Sequence, residues 1–362
     1  MKIGIINPNI IENDPYVGYY TDVFNKLGID YTYIGWNRNH VYPQSYKNQK
    51  AEIFQYYSPE SNSILKKIYD YWLFSRFVIK CLNKDQYGFL TVHTITNGVF
   101  LGKYLRRFYS NKYVFDIRDY SPVYPFVKGL VKDLIKKSAF TAISSLGFKD
   151  WLPVDCDYIM GHNLKKDFVE DGLKMIDPKQ ESKQEKVVLT IGQIRDFSTN
   201  ARFISSLGNK PNIKVVFAGS GIQKDNLESF SKENFTNVSF SGYYKKEEEP
   251  AIVKRSDFIN IVLPGGIGFK TLTTNRFYLS LVYKIPMIVN EDSFQAELVK
   301  KYHLGFVVSS EDNIYEKLMQ YIKHIDYEEF IKGCMDLLDV IKDDINVFEN
   351  RLIKACNEQS NL

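Results

Sequence analysis

The sequence predicts an α/β protein built from two successive doubly wound domains facing each other across a cleft. Three observations carry that expectation. Short apolar runs alternate with stretches of helical periodicity along most of the 362 residues, as parallel strands joined by crossover helices require. The length suits two domains better than one. A polar, charged stretch, MIDPKQESKQEK (175–186), interrupts the alternation before it restarts, and is the best candidate for a linker.

The elements follow in order. KIGIINP (2–8) reads as a buried strand, YVGYYTDVFNKLG (16–28) as a helix stopped by Gly28, and DYTYIGW (30–36) as a second strand. After a long polar and aromatic region, helical periodicity runs from about Ser63 to Asn83. GFLTVHT (88–94), KYVFDIRD (112–119), AFTAISS (139–145) and CDYIMGHN (156–163) read as further strands. Between them lie a helix to about Tyr109, one over about 125–137 and a short one after Ser145. A first domain thus spans 1–174. Beyond the linker, VVLTIGQI (187–194), IKVVFAGSG (213–221), NVSFSGYY (237–244), DFINIVLP (257–264), PMIVN (286–290) and GFVVSS (305–310) are strands. Helices near 198–207, 222–231 and 247–256, and the run after Thr274, separate them. The second domain is therefore expected over 187–325. Residues 311–358 are strongly helical, and the tail, 326–362, is expected to pack back on the first domain. Two such domains would hold a ligand in the crevice at the carboxyl ends of their strands.

Hydrophobic residues make up 44%, enough for a core in each domain. A net charge of +4 gives no argument for nucleic acid and suits anionic small molecules or an anionic membrane surface. Cys81, Cys156, Cys334 and Cys356 are scattered without CxxC spacing, which fits reduced thiols in the cytoplasm and supplies no metal signature. MKIGIINPNI runs straight into a strand pattern, with no signal peptide, and no apolar run reaches ~18 residues. A cytoplasmic protein is the expectation.

Three features of the second half belong together. FAGSG (217–221) is a strand running into a turn of small residues, with Gly219 and Gly221. PGGIGFKTLTTNRF (264–277) is a Gly-rich loop containing Gly268 and Lys270, followed by a helix start at Thr274, Asn275 and Arg276. VYKIPMIV (282–289) then returns to the sheet. Glycines admit close backbone approach, and free N–H groups at a helix start bind phosphate. A cation at a helix N-terminus is disfavoured by the macrodipole, so Arg276 points to an anion nearby. The competing reading is an ordinary helix capped by a threonine, with Arg276 in solvent.

These segments resemble the GT-B nucleotide-sugar glycosyltransferases, in particular bacterial capsule and surface-polysaccharide enzymes related to the retaining Glu-x7-Glu family. In those relatives a segment of the type Asn-Lys-Leu-Tyr-Glu-x-Leu-x-x-Gly-x-Pro binds the donor nucleotide. Aligned on Pro286, Asn275, Arg276 and Tyr278 match its Asn, basic and Tyr positions. LTIGQIRD (189–196), with Gly192 and Arg195, and VFAGSG (216–221) stand where such enzymes begin their donor domain, and Arg195 is within reach of donor phosphates on this alignment. VFDIRD (114–119), AISSLGFKDWL (142–152) and YIMGHN (158–163) resemble acceptor-domain segments. Three positions depart from the pattern. Leu279 and Thr271 stand where the two glutamates would fall, and Lys284 replaces the usual glycine.

The resemblance implies a fold of two Rossmann-like domains. It also implies transfer of a sugar from a nucleotide-diphosphate sugar to a hydroxyl of a surface glycan or lipid-linked glycan, with retention. No cofactor is expected. No DxD motif stands in a suitable loop, so no metal is expected either. His93, at the end of FLTV, is a candidate contact to sugar or acceptor, or a buried structural histidine. In DIRD one carboxylate could take the acceptor's proton, with Asp119 the candidate, while Asp116 and Arg118 read better as a structural pair. Arg118 and Asn163 are candidate acceptor contacts, and His162 with Asn163 could equally cap a helix. ILKKIYDYWLFSRFVIKCL (64–82) mixes aromatic and basic residues, either as the core-facing side of a domain helix or as a peripheral contact with the inner face of the membrane. Two further classes stay open: a non-catalytic GT-B protein that binds a nucleotide or glycan or partners an active subunit, and a sugar-nucleotide epimerase.

Overall fold

The computed structural model describes residues 1–10, 16–39, 50–59, 61–175 and 184–360. Much of the expected linker, 176–183, lies outside them. Among the described residues the strands form two wholly parallel sheets, as the alternating pattern requires.

The first sheet holds β1 (Lys2–Ile6), β2 (Asp30–Asn37), β3 (Ala51–Gln55), β4 (Phe89–His93), β5 (Tyr113–Ile117), β6 (Phe140–Ile143) and β7 (Ile159–Met160). Their order is β3-β2-β1-β4-β5-β6-β7. The strand order reverses beside β1, and right-handed crossovers then put α1 (Val17–Lys26) on one face. The same rule puts α2 (Ile64–Lys84), α3 (Ile95–Phe108) and α4 (Tyr124–Lys136) on the other, where α2 packs on α3 and α3 on α4. Central strands β4 and β5 are buried throughout, so their apolar runs are continuous. Edge strand β3 is only half-buried, and its five residues went unread inside the polar, aromatic region.

The second sheet holds β8 (Lys186–Ile191), β9 (Ile213–Ala218), β10 (Val238–Gly242), β11 (Phe258–Ile261), β12 (Met287–Asn290) and β13 (Gly305–Val308), in the order β10-β9-β8-β11-β12-β13. Its helices are α5 (Lys166–Lys174), α6 (Phe197–Leu207), α7 (Lys224–Asn234), α8 (Glu249–Val253), α9 (Ile267–Thr271), α10 (Asn275–Tyr283), α11 (Phe294–Lys301) and α12 (Ile314–His324). The chain ends in one long helix, α13 (Tyr327–Ser360).

The chain divides into two compact units, Met1–Lys165 with Asp343–Leu362, and Lys166–Lys342. Helix α5 thus counts with the second unit, and the end of α13 with the first. Phe348, Leu352, Ala355 and Cys356 of α13 lie in the first unit's core with Tyr20 and Phe24 of α1. Arg351 Nη2 donates to Ala139 O at 2.7 Å, and Asp344 Oδ2 stands 2.9 Å from His162 Nε2.

Candidate functional site

In the second unit the chemistry-bearing residues gather at the carboxyl ends of β8, β9 and β11. Gly192 follows β8 and Gly219–Gly221 follow β9, and the two turns lie against each other. Gly192 N–H donates to Ala218 O (2.8 Å) and Ile194 N–H to Ser220 O (3.0 Å). A Cβ on Gly219 (φ +140°) would stand 1.8 Å from Gly192 O, and one on Gly221 (φ +157°) 2.3 Å from Ile194 O. Glycine is required at both places because backbone meets backbone. Arg195 follows this pair of turns and is exposed.

Arg276 neither stands in solvent nor faces a carboxylate. Its side chain is half-buried and reaches back to the strand ends: Nε donates to Ile191 O (2.6 Å), Nη1 to Asn260 O (3.3 Å) and Nη2 to Gln193 O (3.2 Å). Among the described residues no acid pairs with it. Loss of water around the guanidinium, partly opposed by Tyr244, pushes its pKa down to about 10. The carbonyls supply acceptors but no compensating charge.

Around it, Thr274 caps α10, its Oγ1 accepting from Phe277 N–H (3.2 Å). Gln295, 1% exposed, accepts from both Thr274 N–H and Oγ1–H (3.0 and 2.9 Å). Asn275 is exposed beside Arg276, whereas Tyr278 packs in the core edge-on to Phe277. Gly268 sits inside α9, and the following N–H groups, at Phe269 and Lys270, are taken up by Gly266 O. Lys270 pairs with Asp292. Of the cations proposed for a phosphate here, Lys270 is already neutralised and Arg276 is not.

The departures from the family pattern also find their places. Thr271 is buried with its hydroxyl donating to Ile267 O (2.7 Å), and Leu279 lies in the core. Lys284 adopts the left-handed conformation (φ 51°, ψ 54°) that glycine would favour. It is 1% exposed, and its Nζ donates to Gly172 O (2.8 Å) and Met175 O. The ammonium therefore caps the carboxyl end of α5, where a cation suits the helix dipole.

In the first unit, Asp116 at the end of β5 is fully buried at the centre of a polar cluster. Tyr20 Oη–H donates to its Oδ2 (2.7 Å), as does Arg118 Nη2 (2.8 Å), while Arg118 Nε stands 2.7 Å from Oδ1. His93 Nδ1 lies 3.2 Å from Oδ2, and its Nε2 lies 3.1 Å from Thr91 Oγ1. Burial alone would raise the pKa of Asp116, but Arg118 and His93 outweigh it and hold the carboxyl below the usual range. Arg118 Nη1 also donates to Gly161 O and to Asn163 Oδ1 (2.5 and 3.0 Å). Asp116 and Arg118 thus form the structural pair favoured by the sequence. His93, Arg118 and Asn163 are drawn into the same network, and Asp119 is exposed past the strand end.

The sequence reading passed over Asn260, Gln295 and Asp292. Asn260 carried a signal, since a lone amide inside the apolar run FINIV needs a partner. It donates to Thr190 Oγ1 (2.9 Å) and accepts from Val262 N–H (2.9 Å). Gln295 and Asp292 carried none.

No protein-family model matches the chain, and no curated protein matches it. Solved structures do. The sucrose-phosphate synthase of Thermosynechococcus elongatus superposes with a TM-score of 0.71 at 11% identity, covering 100% of this chain and 98% of that one. Anabaena HepE, in complex with UDP and glucose, gives 0.64 at 11% identity with 100% of both chains covered. An E. coli trehalose-6-phosphate protein bound with UDP-2-fluoro glucose gives 0.66 at 11% identity, covering 98% of each. At such identities the likeness defines the fold: two Rossmann-like domains of the GT-B class.

Proposed function

We propose that the protein is a glycosyltransferase that takes a sugar from a nucleotide-diphosphate sugar. The observation that carries this is Arg276, a desolvated cation at the carboxyl ends of β8 and β11 with carbonyls but no carboxylate around it. A donor diphosphate would supply the missing charge. As the glycosidic bond breaks, negative charge grows on the departing diphosphate. A fixed guanidinium at a helix start stabilises that charge without reorganising. Two solved structures of similar fold hold UDP or a UDP-sugar, which supports a nucleotide-sugar donor. For the acceptor we keep a hydroxyl of a surface or lipid-linked glycan, with the protein on the inner face of the membrane. In this reading Asp119, an exposed carboxylate, takes the hydroxyl's proton.

A second reading, a non-catalytic GT-B protein that binds a nucleotide or glycan, is favoured by Thr271 and Leu279 in place of two carboxylates. The test combines calorimetry with UDP-, GDP-, CMP- and dTDP-linked sugars and release of nucleoside diphosphate with glycan acceptors. Donor binding with turnover supports transfer, and its stereochemistry is read from the product's anomeric proton. Binding without turnover for any donor–acceptor pair supports the second reading. No binding of any nucleotide sugar would sink the transfer reading and leave only glycan binding of the second.

A further inference from the structure

The three helices on one face of the first sheet have a composition unlike the rest of the chain. Helices α2, α3 and α4 carry eleven lysines and arginines against two carboxylates, a net +9. The whole chain is +4, so everything else is −5 on balance. Asp70, the sole acid of α2, is fully buried and paired with Lys66. Helix α3 has no acid at all. Arg76, Lys80 and Lys103 are exposed, and no carboxylate partners them among the described residues.

The same face also exposes apolar side chains. Ile64, Leu65, Ile68, Tyr69 and Trp72 recur on one stripe of α2, with Leu65 80% and Ile64 74% exposed. Phe126, in the first turn of α4, is 88% exposed. Both groups sit at the helix ends that adjoin the carboxyl edge of the strands, because α2 leaves β3 and α4 leaves β5 there. Arg76 and Lys80 continue the α2 stripe away from that edge. The core-facing reading of this helix therefore covers only its opposite side, where Phe74 and Val78 are buried.

We propose that this face docks on an anionic phospholipid surface, with the α2 stripe and Phe126 entering the headgroup boundary and Arg76, Lys80 and Lys103 meeting the lipid phosphates. Isoleucine, leucine, tyrosine and tryptophan in a row beside unpartnered cations match an interfacial helix. A protein partner would have to offer an acidic surface with an apolar strip of the same length, whereas a bilayer offers both everywhere. The inference rests on the membrane part of the reading above and not on the donor chemistry. It places the lipid at the edge of the first sheet where an acceptor would enter.

The experiment uses the full chain with vesicles of phosphatidylcholine alone and of phosphatidylcholine with phosphatidylglycerol. Co-sedimentation is followed together with tryptophan emission. Trp72 is the exposed reporter, since Trp36 is buried and Trp151 half-buried. The expected result is binding to the anionic vesicles, weakened by salt, with a blue shift of the emission. Arg76→Glu with Lys80→Glu should lower partition roughly thirtyfold or more. Leu65→Ser with Ile68→Ser should lower it and leave the melting temperature unchanged, since both side chains are exposed. Calorimetry of nucleotide binding on the same variants should show no change, so failure here and failure of the donor reading are separate results. The proposal is overturned if the wild type does not sediment with anionic vesicles at low salt, or if both double variants bind as it does. It is equally overturned if the stripe instead mediates self-association or binds duplex RNA, either shown by a change in elution volume that Leu65→Ser with Ile68→Ser abolishes while vesicle binding is absent.

Discussion

Arg276 uses Nε and one hydrogen on each terminal nitrogen for carbonyls, which leaves two of its five N–H donors for a ligand. Its variants should therefore show two separable effects. Arg276→Lys should weaken nucleotide-diphosphate binding by about 1.5–3 kcal/mol, because an ammonium cannot serve the strand ends and a phosphate together. Arg276→Ala should lose at least as much and also destabilise the ligand-free protein by about 1–3 kcal/mol, since three carbonyls lose the bonds the guanidinium makes to them. Calorimetry and thermal unfolding check both, and unchanged affinity in both variants would remove the phosphate reading. Asp116 gives a second test. Asp116→Asn leaves Arg118 buried opposite a neutral amide, at a cost of about 3–5 kcal/mol. The folded carboxyl is held below its unfolded value, so over the acid range the unfolded state binds more protons and stability rises with pH. That stabilisation is complete above about pH 4–5 and is lost as pH falls through the folded value. The acid limb of a stability–pH curve should be flatter in Asp116→Asn than in the wild type.

At the scale of the element, α10 shows how one helix start can serve three neighbours. Thr274 caps it, Gln295 of α11 holds the cap, and Arg276 ties it to β8 and β11. Its far end is unusual in another way. Lys284 stands left-handed where a glycine would cost nothing, a strain of about 1 kcal/mol. Its ammonium bonds two carbonyls at the end of α5, each such charge-assisted bond contributing about 1.5–3 kcal/mol. Lys284→Gly should therefore destabilise the protein, by about 2–5 kcal/mol on these figures, although it relieves the backbone. A rise in unfolding temperature in that variant would show that the strain outweighs the cap. The glycines after β9 are fixed by a stiffer constraint, because Gly219→Ala would drive a methyl into Gly192 O and should displace both turns.

The whole molecule is made of two units that share one chain end. The second unit is continuous, but the first takes its last segment from beyond Asp343. Leu352 is fully buried in the first unit's core, so Leu352→Ala should cost about 2–5 kcal/mol. Deleting residues 343–362 should remove the cooperative unfolding of the first unit while the second keeps its own, seen by calorimetry as the loss of one transition. A deletion variant with both transitions intact would mean that the α13 contacts are dispensable. The proposed transfer is expected to survive chelation by EDTA, because in that reading Arg276, not a metal ion, meets the charge of the leaving diphosphate. Loss of turnover with EDTA, restored by Mn²⁺, would contradict that.

The sequence by itself determined the alternation of strands and helices, because buried parallel strands need continuous apolar runs and their crossovers need helical periodicity. FLTVH, YVFDI and FINI could hardly have been anything else. It also marked Arg276, through a charge that a helix start opposes, and Lys284, through a side chain where glycine is usual. The tertiary structure alone decided what those residues meet. Arg276 reaches Ile191, 85 positions away, and Lys284 reaches Gly172, 112 positions away. Asp292 finds Lys270, and Asn163 is drawn to Arg118. Such partners are fixed by tertiary packing, which brings β8 beside β11, the end of β7 near that of β5 across β6, and α10 onto α5, and no local pattern of hydrophobicity encodes which element lies next to which. The same holds for burial. His93 and Tyr278, candidates in the sequence, are enclosed, while the apolar Leu65 and Phe126 stand exposed, because which side of a helix meets its sheet is settled only when the two pack.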